Sequence, residues 1–159
     1  MGTLSGIRAA APADAAALAE LRWEFRVARA PAREEHDAFV RRCADWMRSE
    51  LASHARWRAW VALVGDDIVG QLWMQTIEKI PNPVSERERH AYVSNVFVRP
   101  AHRGGIGSRL LDEATAWARA EQIDRVILWP SARSVTLYER HGFTHRGDVM
   151  ELALGPSRQ

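Results

Sequence analysis

The chain has 159 residues, with 22 Lys or Arg against 20 Asp or Glu, for a formal net charge of +2. That length fits one domain, 1–159, with one core. The near balance of charge, with no long basic run, argues against nucleic acid despite a pI of about 9.2. A single cysteine, Cys43, excludes an internal disulfide framework and a clustered thiolate site. No stretch approaches the ~20 apolar residues of a membrane span. The N-terminus lacks a secretory apolar core, and Gly2 opens no convincing lipidation signal, so a cytoplasmic protein is expected.

The first candidate strand is short, Ile7 to Ala10. Pro12 and Asp14 then open a helix, since proline suits a first turn and a carboxylate accepts from its free N–H groups. Leu18, Leu21, Phe25 and Ala28 recur at helical spacing, and Pro31 ends the run. A second helix fits Arg33 to Ala55, with Phe39, Val40, Cys43, Trp46, Met47 and Leu51 along one face. Trp57 to Val64 and Ile68 to Ile77 read as an antiparallel hairpin turning at Gly65-Asp66-Asp67. Pro81 to Arg89 is a loop by composition. His90 to Val98 is a further strand, stopped by Pro100.

A glycine-rich turn follows, then an apolar helical stripe from Ile106 to Ala118. Asp124 to Trp129 is a buried strand, Ser134 to Arg140 a short helix closed at His141-Gly142, and Asp148 to Leu154 a last strand. The expected fold is a mixed α/β (α+β) architecture. Its mostly antiparallel central sheet is flanked by helices, and His90 to Trp129 forms a parallel strand–helix–strand unit of right-handed sense.

The turn itself is the segment "HRGGIGSRLL", His102 to Leu111. Three glycines cost chain entropy unless backbone freedom is needed there. They serve either a bare strand-to-helix turn or a helix start where an anion approaches unpaired N–H groups and the positive end of the dipole. In the second case Gly104, Gly105 and Gly107 leave the backbone open, Ser108 adds a hydroxyl and Arg103 a charged contact. Neither G-x-x-x-x-G-K-[ST] nor G-x-G-x-x-G is present, so a P-loop and a dinucleotide fingerprint are excluded. No H-E-x-x-H motif accompanies the six histidines, and no metal site is expected.

"VRPAHRGGIGSRLL" resembles the acetyl-CoA signature of the GNAT superfamily of N-acetyltransferases, and "SVTLYERHGF", Ser134 to Phe143, resembles its second signature. The resemblance covers residues 57–154 by motif and the N-terminal helices by order alone. The glycine turn is one residue shorter than R-G-x-G-x-G. If Gly105-x-Gly107 keeps its register, the Arg/Gln position falls on His102.

The resemblance implies acetyl-CoA as acyl donor and direct transfer of the acetyl group to a primary amine of a small molecule or peptide. It places the pantetheine arm along Val96, Phe97 and Val98, the diphosphate at the glycine turn, and a proton donor to the departing thiolate at Tyr138. It leaves Ser134 either orienting the donor or capping its helix, and Arg140 either reaching the phosphates or facing solvent. Glu78 is the favoured base for the amine, ahead of Glu88 and His90, with water as the alternative. Trp73 and Trp129 either line the acceptor pocket or pack in the core. A non-catalytic acyl-CoA-binding domain of the same fold is the competing reading, and a homodimer through the last strands is an open expectation.

Overall fold

The computed structural model describes residues 4–155. Gly2 lies outside them. The described chain divides between Trp129 and Pro130 into two compact units.

The first unit begins with strand β1 (Leu4–Ala9) and a single 3-10 turn at Pro12–Asp14. The Asp14 carboxylate accepts from Ala11 N–H at 2.7 Å and from both Arg8 Nη atoms at 2.7 and 2.9 Å, which ties β1 to the helix start. Helix α1 (Ala15–Val27) ends before Pro31. Helix α2 (His36–Ser53) opens three residues later than its sequence pattern suggests and stops at His54, which takes a left-handed φ of 51°. Strands β2 (Trp57–Val64) and β3 (Asp67–Glu78) form the expected hairpin, with Gly65 at φ 60° supplying the turn. Strand β4 (Arg89–Val98), helix α3 (Ile106–Ala120) and strand β5 (Arg125–Ile127) complete this unit.

The sheet runs β1-β2-β3-β4-β5, antiparallel throughout except for the parallel β4–β5 pair. Its two faces carry different helices. Ala59, Val61 and Trp73 cluster with Leu18, Met47 and Leu51 of α1 and α2. On the other face Trp60 meets Trp117 of α3 with centroids 5.7 Å apart. Gly70 there leaves room for Leu110, since a Cβ on it would stand 3.1 Å from Val98 Cγ2 and 3.4 Å from Leu110 Cδ1. Successive strand residues thus serve opposite cores, as a pleat requires.

The second unit holds helix α4 (Val135–Arg140), closed by Gly142 at φ 83°. The strand expected over Asp148 to Leu154 does not form. No ladder pairs it, and Val149, Met150, Leu152 and Leu154 are exposed. Its apolar residues satisfied the composition of a strand, but a strand also needs a neighbour to take its backbone hydrogen bonds. Strand β5 is likewise shorter than Asp124 to Trp129, because it pairs with β4 only at His90, Ala91 and Tyr92.

Candidate active site

The site follows from an irregularity in β4. Met74 pairs with Val93 and Trp73 with Asn95, so Ser94 is an extra residue, a β-bulge. The bulge resets which residues face which helices. Val93 lies opposite Met74, whereas Asn95 lies opposite Trp73 on the α1/α2 side, and Phe97 packs its ring 5.5 Å from Phe25 of α1.

Beyond Tyr92, β4 has no strand partner on its β5 side among the described residues. Arg99 N–H donates to Val69 O of β3 at 2.9 Å. Backbone groups alternate edges along an extended chain, so Phe97 also faces β3, while Val96 and Val98 turn their N–H and C=O to the open edge. Of the three residues expected to line the donor arm, two therefore present free backbone, and Phe97 contributes ladder bonds and a ring contact.

The open edge leads to the glycine turn. Pro100–His102 form one 3-10 turn, and Gly104 and Gly105 follow at φ 127° and 95°. Those angles strain any L side chain, which explains the glycines independently of a ligand. No atom lies within 4 Å of where a Cβ would stand on either residue, so the peptide surface is open there. Gly105 caps α3 with no side-chain hydrogen bond. The first N–H bonded within the helix is that of Arg109, to Gly105 O at 3.1 Å, so Ile106, Gly107 and Ser108 have no intrahelical acceptor. Ile106 is buried and anchors this turn, while Arg103 is exposed beside it. These features suit a diphosphate.

On the α1/α2 face, beside the bulge, lies a cleft of about 350 Å³. Its aromatic wall is Trp46 of α2, Trp57 of β2 and Trp73 of β3, with centroids 5.6 to 6.2 Å apart. Ser94 and Asn95 of β4 close one side and Arg22 of α1 another, with Arg42 and Cys43 of α2 opposite. Trp73 is held by a buried hydrogen bond, its Nε1 donating to Gln71 Oε1 at 2.8 Å. Helix α1 is held over β4 by a fork in which Arg99 Nε and Nη2 donate to Glu24 at 3.0 and 2.7 Å. Burial pushes the Cys43 thiol pKa up, with Arg22 opposing weakly, so the thiol stays protonated at neutral pH.

The structure does not bring Glu78 to this cleft. Glu78 is exposed at the end of β3 opposite Arg89, five residues or about 16 Å along the strand from Trp73. Glu88 accepts from Asn82 N–H at 2.6 Å, and His90 Nε2 stands 3.4 Å from Asp124. Among the described residues no carboxylate or imidazole lines the cleft. Trp129 lies against Tyr92 at 4.8 Å and is not part of the lining, whereas Trp73 is. In the second unit, Tyr138 is half-buried with its ring 5.6 Å from Phe143. Ser134 does not cap α4 with its side chain; its hydroxyl donates to Ser131 O at 2.9 Å. His141 and His145 stand four residues apart but follow the end of α4, so the spacing does not set them on one helix face. Among the described residues no three His, Cys, Asp or Glu side chains gather as a metal site, and no helix is long and apolar enough to cross a membrane.

Arg22 and Asn95 were not singled out from sequence. A signal existed for Arg22, which lies four residues after Leu18 and three before Phe25, on the apolar stripe of its helix. Asn95 stands alone as an amide in "YVSNVFV".

No curated protein matches the sequence. Solved structures do match in fold. A predicted acetyltransferase from Clostridium acetobutylicum, solved with acetyl-CoA, is similar with a TM-score of 0.77 and 21% identity over 94% of this chain and 96% of that one. A ribosomal-protein-alanine N-acetyltransferase from Brucella melitensis biovar Abortus 2308 matches with a TM-score of 0.68 and 21% identity over 94% and 97%. An aminoglycoside acetyltransferase from an uncultured soil metagenomic sample, in complex with sisomicin, matches with a TM-score of 0.67 and 16% identity over 96% of each chain. The model of the acetyltransferase (GNAT) family matches residues 16–143, and with an unpaired strand edge running into a glycine-opened helix, the chain belongs to that family.

Proposed function

We propose that the protein is an acetyl-CoA-dependent N-acetyltransferase that moves the acetyl group directly to a primary amine of a small molecule or peptide. The observation that carries this reading is the open edge of β4 from Val93 to Val98, continuous with the unpaired N–H groups at the head of α3. Acetyl-CoA would supply an activated acetyl thioester. Val96 and Val98 would hold its amides as an added strand does. Gly104, Gly105, Gly107 and Ser108, with Arg103, would take the diphosphate.

The remaining roles belong to this chain's own groups. The Val96 N–H, next to the bulge, would donate to the carbonyl oxygen as charge develops on it, which leaves the Val96 C=O and the Val98 backbone for the amides. Among the described residues no base lines the cleft, so the amine gives its proton to water. Cys43, protonated at neutral pH, does not act as a nucleophile. By the resemblance of its motif, the Tyr138 hydroxyl would supply the proton for the departing sulfur.

Calorimetric titration of acetyl-CoA into wild type and Gly105→Trp tests the donor site, and thiol release with a panel of amines tests transfer. Micromolar binding that Gly105→Trp abolishes, followed by amine-dependent thiol release, supports the proposal. Tyr138→Phe is then expected to lower kcat by about 10²-fold. The absence of a cleft base favours a second reading, a non-catalytic acyl-CoA-binding domain. Binding of acetyl-CoA with no thiol release from any amine would establish that reading instead.

A further inference from the structure

The polar atoms that the cleft leaves without strong partners are donors. Arg22 is half-buried on α1, yet among the described residues no carboxylate pairs with it. Its hydrogen bond goes to the neutral Asn95 Oδ1, at a long 3.4 Å. Desolvation lowers its pKa, and Arg26 lowers it further. Arg42 across the cleft is different, since Glu34 accepts from its Nη2 with both oxygens at 2.9 and 3.1 Å. Arg99 and Arg8 are likewise forked onto Glu24 and Asp14. Asn95 is 5% exposed, and its Nδ2 is buried with no acceptor. An uncompensated guanidinium and an unsatisfied amide side by side both cost stability. The guanidinium is satisfied when a ligand brings an anionic acceptor, the amide when its side chain turns to the same acceptor, and a guanidinium fork matches a carboxylate best.

We infer that Arg22 and Asn95 bind a carboxylate of the acceptor, so that the substrates are apolar or aromatic α-amino acids. This rests on the N-acetyltransferase reading and names its substrate class. Asn95 belongs both to the anion site and to the bulged stretch that leads to Val96, so the amine and carboxylate of the acceptor must be close neighbours. An α-amino acid, with one carbon between them, meets that condition. A peptide N-terminus carries an amide at that position. The acceptor's side chain lies on Trp46, Trp57 and Trp73, which offer apolar surface and no acceptor group. A volume of about 350 Å³ admits one amino acid.

The test titrates phenylalanine, leucine and methionine, each against its own carboxamide, into the protein by calorimetry, with thiol release from acetyl-CoA measured in parallel. At least one acid is expected to bind about tenfold or more tightly than its amide, and Arg22→Gln to reduce that ratio to about threefold or less. Arg48→Gln, on α2 but outside the cleft lining and paired with Asp45, should preserve the ratio. Arg22→Lys, which keeps the charge but loses the fork, should give an intermediate ratio and serves if the glutamine variant fails to fold. Equal binding of acid and amide by wild type, no binding of any of the three acids, or a ratio that survives Arg22→Gln would overturn the inference. Binding is read without turnover. Acid preference with no thiol release therefore counts against transfer alone, whereas release from amines that ignores the carboxylate counts against the substrate class alone.

Discussion

Gln71 is 0% exposed in the middle of β3, an expensive place for an amide. Its Oε1 accepts from Trp73 Nε1, which sets the indole plane that forms part of the cleft wall. Gln71→Leu leaves a buried indole N–H unpaired, and denaturant titration should show a loss of about 1–3 kcal/mol. Single residues were the least legible part of the sequence. The glycines announced themselves because backbone geometry restricts which residue types fit. Gln71, Asn95 and Arg22 gave only the weak signal of a polar residue in an apolar pattern, and such residues more often face solvent. Glu78 drew attention by its charge and its strand. Its distance from Trp73 is a matter of position along β3, which residue type does not encode.

At the scale of elements, period and punctuation carried most of the fold. β2 runs over the residues its pattern marked, and β4 and α3 begin within one residue of theirs. The bulge escaped because period two counts residues, not pairings. In an uninterrupted strand Ala91, Val93, Asn95 and Phe97 would share a face, but the extra Ser94 moves the last two to the opposite side. Removing Ser94 from the chain therefore restores continuous alternation without turning any core residue outward. The deletion is expected to fold with near wild-type circular dichroism while losing at least about 10²-fold in kcat/KM, because a misplaced site costs rate even where the fold survives. The missing strand at Asp148 to Leu154 is the converse case, since composition alone cannot supply a pairing partner.

For the molecule as a whole, stability depends on pH through the α1–α2 contact. His36 at the start of α2 bonds Asp37 through Nδ1 at 2.7 Å and Glu20 of α1 through Nε2 at 2.8 Å. Its pKa is raised, first by the Asp37 hydrogen bond and then by that of Glu20. A folded-state value above the unfolded one of about 6.5 means the contribution is full below that pH and is lost as pH rises through the raised value. Thermal melts should therefore place wild type furthest above His36→Gln near pH 5.5, with the gap closing by pH 8.5. The overall class was legible because two motifs and an element order agreed, whereas the acceptor depends on side chains from five separate elements that only folding brings together. The three indoles of the cleft have an optical consequence as well. At separations of 5.6 to 6.2 Å their strong far-ultraviolet transitions couple, so the circular dichroism of this protein is expected to carry an exciton signal from the cleft itself. Trp46 is 45% exposed, and its emission shifts to shorter wavelength when a bound molecule displaces water from its ring. The cleft is thus a built-in, label-free reporter of its own occupancy.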